Sequence, residues 1–262
     1  MSNTLRKLYY CLRNLPLFLP YLKKFLFKPK NGGYLWEVKH KLYEIEVVDY
    51  LKKVLKEGDT FIDVGANVGY YENICSPLVG STGEIYAFEP ISVIFRASHK
   101  NSYNKISNVR LVALACGSRN GRAKLNIAGD LGDGSSLVKE FLDYNKAEIK
   151  KEVEVEVIRL DKYIKDHRVE NIKAIKIDTE MYDFEVLKGL SGYFDTGARP
   201  IVVCEVQDKK AYKEVLGQDI RELIDYMRFY GYEAYSIYLP NKKVNLLNPI
   251  TIGNVIFKIN DK

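Results

Sequence analysis

The stretch TFIDVGANVGYYENIC, residues 60–75, decides the fold. The apolar run Phe61–Val64 predicts a buried strand, the turn after it contains Gly65 and Gly69, and a helix is expected from about Tyr70. A strand that passes through a glycine-rich turn into a helix is the first unit of a doubly wound α/β sheet. Ligands bind at such a turn because backbone N–H groups and the helix N-terminus converge there.

The turn does not match the two common phosphate-binding sequences. A P-loop would require a Lys followed by Ser or Thr, and neither follows the glycines. A dinucleotide loop that began at Gly65 would have glycines where this chain has Asn67 and Tyr70, and an asparagine would obstruct the pyrophosphate. A cofactor without phosphate, S-adenosylmethionine, is favoured, with Asp63 near its cationic amino group and sulfonium.

A second acidic residue strengthens this interpretation. Glu89, in YAFEP (residues 86–90), ends the next predicted strand, 20 residues after Gly69, and a carboxylate there can accept two ribose hydroxyls. The predicted cofactor site consists of Asp63, Gly65, Ala66, Asn67, Gly69, Glu89, Pro90, Ser136 and Asp178.

The rest of the chain continues the alternation of short apolar strands and helices. Strands are predicted at residues 85–88, 109–115, 174–177 and 201–206, which indicates a mostly parallel sheet covered on both faces. Strands at 232–239 and 254–259, with no helix between them, predict an antiparallel C-terminal edge. Alternating residues at 123–127 and 152–158 predict a β insertion. The expected fold is a Rossmann-like, doubly wound α/β sheet.

The basic residues are concentrated at the N-terminus. The formal charge is +6, and residues 1–30 contain seven Lys or Arg and no acid, so the remainder sums to −1. Nucleic acid is therefore an unlikely partner, because a nucleic-acid-binding domain usually spreads its basic surface over the fold. Residues 1–33 are predicted to be a basic amphipathic extension, and 34–262 a single domain. The extension either contacts an anionic membrane surface or packs on protein.

The four cysteines are Cys11, Cys75, Cys116 and Cys204, and none forms a CxxC pair. Free thiols in a reducing, cytoplasmic compartment are expected, with the protein at most peripheral at the inner face of a membrane. No zinc site is predicted, because the three histidines are not clustered with cysteine.

Taken together, these motifs resemble the FkbM family of S-adenosylmethionine-dependent methyltransferases. The resemblance rests on five stretches, and it extends from about Leu42 to the C-terminus. These stretches are FIDVGANVGYY (61–71), YAFEP (86–90), NVRLVALACG (108–117), VIRLDKYI (157–164) and IKIDTEMYDFEVLKG (175–189). Two positions depart from the family pattern: Met181 stands where a glycine is usual, and Glu72 replaces a small hydroxyl residue.

The resemblance implies that the doubly wound sheet is of the class I methyltransferase type. It also implies O-methylation of a hydroxyl group, often on a sugar or a secondary metabolite. Asp178, Glu180 and Glu205 are the predicted catalytic residues, because carboxylates at the carboxyl ends of neighbouring strands can converge and supply a base. They could also form a Mg²⁺ site, although no metal is predicted, and Glu180 and Asp183 could simply cap the next helix. Met181 predicts either a different bend or a side chain in the acceptor pocket.

The favoured function is an O-methyltransferase for a sugar, glycan or sugar-bearing metabolite. The alternatives are an RNA or other small-molecule methyltransferase, and a cofactor-binding protein without catalysis. The segment GDLGDGSSL, residues 129–137, is either a lid or a plain connector, and a lid would bring Ser135 and Ser136 to the cofactor carboxylate. The sequence leaves the oligomeric state open.

Overall fold

The computed structural model describes residues 43–91, 107–129, 134–245 and 253–260. The chain divides into two compact units, residues 1–49 and 50–262. The predicted amphipathic extension at 1–33 and the predicted domain boundary after residue 33 lie outside the described residues.

The described elements alternate as the sequence pattern predicts. The strands are β1 (Thr60–Val64), β2 (Glu84–Phe88), β3 (Val109–Val112), β4 (Ala115–Cys116), β5 (Gly121–Ala128), β6 (Ile149–Ile158), β7 (Ile172–Ile177), β8 (Ile201–Val206), β9 (Glu233–Ser236) and β10 (Gly253–Lys258). The helices are α1 (Ile45–Val54), α2 (Tyr70–Val79), α3 (Lys139–Tyr144), α4 (Leu160–Asp166), α5 (Asp183–Lys188), α6 (Ser191–Asp195), α7 (Lys209–Leu216) and α8 (Ile220–Phe229).

Seven strands form one sheet in the order β3-β2-β1-β7-β8-β10-β9. The first five are parallel, and their order is that of a doubly wound sheet, which confirms the predicted fold class. All five residues of β1 are buried, as expected for a central parallel strand. The strand order reverses between β1 and β7, so the carboxyl ends of these two strands form the crevice in which such sheets bind ligands.

The C-terminal strand is antiparallel, as predicted. β10 pairs with β8 on one side and with β9 on the other, antiparallel to both. It therefore lies one position in from the edge, and β9 takes the outer place. Its central residues Val255, Ile256 and Phe257 are buried, which explains why this late apolar segment joins the core of the sheet.

The predicted insertion is a separate three-stranded sheet, in the order β4-β6-β5. β5 and β6 pair antiparallel over most of their length. The prediction of one strand over residues 109–115 is wrong, because the chain changes sheets within it. β3 ends at Val112 on the large sheet, and Ala115 and Cys116 pair with β6 instead.

The core of the 50–262 unit lies between the large sheet and its helices. Its most fully buried large side chains include Phe61, Ile85, Phe88, Phe194 and Phe257. The three described cysteines, Cys75, Cys116 and Cys204, are free and buried. Within the described ranges, no helix combines the length and the apolar character needed to cross a membrane.

Candidate active site

The loop after β1 is held by backbone contacts to both neighbouring strands. The N–H groups of Gly65 and Ala66 donate to the carbonyl of Phe88, at 3.0 and 3.1 Å. Gly65 has φ +89°, and a Cβ atom there would lie 1.9 Å from the carbonyl oxygen of Asp178. Glycine is therefore required at this position, because any side chain would push the loop away from β7.

Glu89 closes the loop on the β2 side. Its carboxyl is 7% exposed and accepts the N–H groups of Asn67, at 3.0 Å, and of Ile91, at 2.8 Å. Burial raises the pKa of Glu89, and these two hydrogen bonds oppose the rise. A carboxylate offers about four lone-pair sites, so two such bonds leave capacity for the two hydroxyls of a ribose. The free acceptor capacity of Glu89 at this strand end therefore fits the ribose of S-adenosylmethionine. Pro90 follows Glu89 directly in the chain.

Asp63 is the penultimate residue of β1, directly before the loop, and it is only 1% exposed. It stands beside Lys176 in the parallel register of β1 and β7, so the two side chains project from the same face of the sheet. This position suits a residue that shapes the loop from below. Its predicted contact with the cofactor amino group stays a prediction.

Asp178 follows the last residue of β7, at the switch point of the sheet. Its Oδ2 accepts from Nζ of Lys176 at 2.8 Å; the lysine side chain is 1% exposed and that of Asp178 is 16% exposed. The same ammonium group lies 4.8 Å from the ring centroid of Tyr71. A buried cation thus neutralises and orients the carboxylate, which is the member of this pair that reaches the crevice.

Glu205 is the penultimate residue of β8 and lies beside Asp178. Ile177 and Cys204 are register partners on adjacent parallel strands, so the residues that follow them lie side by side. Burial, followed by the charges of Asp178 and Asp183, raises the pKa of Glu205 to about 10. Among the described residues, no donor reaches its Oε2. This shift favours the protonated form of Glu205, which can donate a hydrogen bond, whereas a base must be unprotonated.

Asp183 stabilises the turn between β7 and α5. Its Oδ1 accepts the N–H of Thr179, at 2.9 Å, and the hydroxyl of the same residue, at 3.1 Å. Burial, and next the charge of Asp178, raises the pKa of Asp183 to about 6. No side chain caps the N-terminus of α5, so the interpretation of Asp183 as a helix cap is wrong.

Glu180 and Met181 form the bend of this turn, and both have positive φ, +52° and +77°. The methionine thus adopts a backbone conformation that usually favours glycine, and whether the bend differs from that of the family stays a prediction. Its side chain is 4% exposed and packs in the main hydrophobic core. Burial of the thioether offsets part of the backbone strain. Glu180 is half-buried beside the same carboxyl cluster and adds to the rise in the pKa of Glu205.

The end of the segment at 129–137 is attached to this turn. The hydroxyl of Ser136 donates to the carbonyl of Glu180 at 2.5 Å and accepts the N–H of Val138 at 2.9 Å. Its backbone pairs in both directions with Asn126 on β5, at 3.0 and 3.1 Å. Ser136 thus holds the bend, and the neighbouring hydroxyl of Ser135 is buried without a hydrogen-bond partner among the described residues. The predicted lid and its contact with the cofactor stay predictions.

Two residues of this site were not assigned a role from the sequence. Lys176 lies inside the apolar run at 174–177, where a lysine followed two residues later by an aspartate was the available signal. Glu72 was noted only as a departure from the family pattern, yet its side chain is fully buried next to Asp63. Within the described part of the chain, no group of three or more His, Cys, Asp or Glu residues could hold a metal ion.

The comparison with protein families agrees with this geometry. The model of the methyltransferase FkbM domain matches residues 63–234, which include the loop, Glu89, the turn at Asp178 and β8. The chain belongs to the FkbM methyltransferase domain family. This match confirms the predicted family.

A relative with a named activity is distant in sequence. The hexuronic acid methyltransferase AglP of Haloferax volcanii is 24% identical over 157 residues, which are 60% of this chain and 60% of AglP. The chain thus matches about three fifths of the length of that relative.

Two solved structures are similar in outline. A SAM-dependent O-methyltransferase from Thermotoga maritima is 12% identical with a TM-score of 0.41, and the match covers 93% of this chain and 72% of that one. Fibrillarin from Aeropyrum pernix, in complex with S-adenosyl-L-methionine, is 14% identical with a TM-score of 0.44, and the match covers 81% and 73%. The fold assignment made above depends on the strand order alone.

Proposed function

We propose that this protein is an S-adenosylmethionine-dependent O-methyltransferase that acts on a hydroxyl group of a sugar, a glycan or a sugar-bearing metabolite. The observation that carries the proposal is the arrangement at the carboxyl ends of β7 and β8, where the Asp178–Lys176 pair lies beside Glu205, a carboxyl whose pKa is raised by burial. This arrangement combines a proton acceptor with a hydrogen-bond donor next to the cofactor loop.

The residues at the loop would hold the cofactor. Glu89 would accept its ribose hydroxyls, the backbone from Gly65 to Gly69 would pack against it, and Asp178 would border the position of its methyl group. When bound, S-adenosylmethionine supplies the activated methyl group for an in-line displacement.

Asp178 is proposed as the base. A sugar hydroxyl is a weak nucleophile, and a positioned base typically contributes about 10²–10⁴-fold to such a reaction. Lys176 holds one oxygen of Asp178 in place, and the hydroxyl proton would pass to this carboxylate as the acceptor oxygen attacks the methyl group. Glu205 would donate a hydrogen bond to a neighbouring oxygen of the sugar and so orient the acceptor.

The sugar is supported by one distant relative and by the charge distribution. AglP is named a hexuronic acid methyltransferase, and it is 24% identical to this chain over 157 residues. Residues 31–262 sum to a charge of −1, which favours a small or neutral acceptor over RNA. The predicted cytoplasmic location, with the basic extension near a membrane where lipid-linked glycans are built, is part of the proposal. If the basic extension does not contact lipid, the proposed methyl transfer is unchanged.

The test is a methyl-transfer assay with isotope-labelled S-adenosylmethionine. The acceptors are neutral hexosides, amino-sugar glycosides, hexuronates and total RNA, and the variants are Asp178→Asn and, as a matched control, Asp166→Asn on the exposed end of α4. We expect transfer to a sugar that falls by at least about 100-fold in Asp178→Asn and is unchanged in the control. Transfer to RNA alone would favour the alternative enzyme, and binding of the cofactor without transfer to any acceptor would favour a non-catalytic protein.

A further inference from the structure

Glu72 is a buried acid that the proposed reaction does not use. It lies in the first turn of α2 and its side chain is 0% exposed. An ionised carboxylate is rarely buried so completely without a specific partner, because its desolvation is costly. Its position is also specific: Glu72 lies in the first turn of the helix that follows the cofactor loop, whereas Asp63 is the penultimate residue of the strand that precedes it.

The groups that face Glu72 are few and all buried. The carboxyl of Asp63, on β1, interacts with it directly, and the ammonium group of Lys176, on β7, is close enough to exert an opposing effect. The thiol of Cys75, one turn further along α2, also lies near both acids. Burial, followed by the charge of Asp63, raises the pKa of Glu72 well above its ordinary value. The thiol stays neutral because burial raises its pKa as well.

We propose that Glu72 is a positioning residue for the cofactor loop: its protonated carboxyl donates a hydrogen bond to the carboxylate of Asp63 and so joins the two ends of the loop. Of the two acids, Asp63 then carries the negative charge, next to Lys176 in the register of β1 and β7. Lys176 also pairs with Asp178, so the proton on Glu72 lowers the net charge of these three carboxyls and the lysine from −2 to −1, which a dry interior tolerates better.

The loop needs such a connection at its base. Its upper part is fixed toward β2, where Phe88 and Glu89 accept three of its N–H groups. Gly69, the N-cap residue of α2, has no side chain and makes no capping hydrogen bond. The bond from Glu72 to Asp63 would fix the distance between the strand and the helix at a helix end that no side chain caps. A cofactor that contacts backbone along this loop would bind more weakly if the ends moved apart.

The test is calorimetric titration with S-adenosylhomocysteine, which needs no acceptor. Glu72→Gln keeps a donor of the same shape, whereas Glu72→Leu keeps most of the volume and removes the donor. We expect the dissociation constant of Glu72→Gln to stay within about threefold of that of the unmodified protein and that of Glu72→Leu to rise about tenfold or more, the effect typical of one hydrogen bond to a charged group. Thermal unfolding without cofactor checks that each variant is folded.

Ile74→Ala is the matched control, because Ile74 is a buried residue of the same helix with an apolar side chain. We expect it to lower the unfolding temperature and to leave the dissociation constant within about threefold, since a packing loss weakens the fold without removing the donor. Equal weakening in Glu72→Leu and Ile74→Ala, or equal weakening in Glu72→Leu and Glu72→Gln, would overturn the proposal. An unmodified protein that does not bind S-adenosylhomocysteine would overturn the proposed function itself, a result that the variants alone cannot produce.

Discussion

Replacing Glu205 by glutamine should remove a pH-dependent loss of stability. The pKa of this residue is about 10 in the folded protein, against an ordinary value of 4.5. Below about pH 4.5 both the folded and the unfolded chain carry this proton, so the titration of Glu205 does not change the free energy of unfolding there. As the pH rises, the unfolded chain releases the proton first while the folded protein retains it, and the free energy of unfolding falls until the pH reaches the folded pKa.

The magnitude follows from the difference between the two pKa values. Each pH unit between them lowers the free energy of unfolding by about 1.4 kcal/mol for one proton. The interval from about pH 5 to about pH 8 lies wholly inside this window, so the unmodified protein should lose up to ~4 kcal/mol there through Glu205. Glutamine has nearly the same shape and no proton to lose, so the Glu205→Gln variant should not show this part of the loss.

The assay is urea unfolding at about pH 5 and about pH 8, followed by circular dichroism, for the unmodified protein, Glu205→Gln and Glu214→Gln. Glu214 is an exposed glutamate of α7 and serves as the control. The stability of Glu205→Gln relative to the unmodified protein should rise by several kcal/mol between the two pH values, up to the ~4 kcal/mol given above. If the two proteins lose stability in parallel, Glu205 is ionised in the fold and its role as a donor is refuted.

Three further predictions follow from the same contacts. Glu89→Ala should weaken S-adenosylhomocysteine binding by about 100-fold, the cost of two hydrogen bonds to a charged acceptor, and calorimetry that shows less than a threefold change would contradict its role. Asp178→Asn should lower kcat by about 10²–10⁴-fold in a turnover assay and leave cofactor affinity unchanged within about threefold; a normal kcat would exclude it as the base. Met181→Gly should relieve about 1 kcal/mol of backbone strain but lose a buried side chain worth about 2–5 kcal/mol, so urea unfolding should show net destabilisation, and an increase in stability would mean that the thioether contributes little.

The cofactor half of the site could be predicted because its chemistry is encoded in neighbouring residues. The loop from Gly65 to Gly69 requires glycines for close approach of the backbone, and a single acid at the end of the next strand, Glu89, has the spacing that a ribose demands. Both features are local, so the pattern of strand, turn and helix was sufficient to place them.

The acceptor half was less accessible because it depends on contacts between distant segments. The pairing of Lys176 with Asp178 is not evident from the sequence, because Lys176 lies in an otherwise apolar strand and lysine is rarely buried. The protonated state of Glu205 depends on the combined burial and charge of three strand-end and turn residues, which no spacing reveals. The break of the predicted strand at Val112 depends likewise on a competing pairing with β6, some 40 residues away along the chain.

Met181 departs from the family pattern at the turn after Asp178. The methionine has a left-handed backbone conformation, and its side chain enters the core. The departure at Glu72 has a different consequence, because it adds an ionisable group to the base of the cofactor loop. Both residues therefore distinguish the site of this chain from the family pattern.

The central claim is that a methyl group is transferred to a sugar hydroxyl, and the most direct measurement is the structure of the product. Methyl-labelled S-adenosylmethionine is incubated with the protein and the sugar panel, and the product is examined by carbon NMR. The account predicts a labelled methyl carbon with the chemical shift of a methyl ether, bound to a former hydroxyl oxygen of the sugar and absent with Asp178→Asn. A label bound to nitrogen or carbon, or found only in RNA, would contradict it.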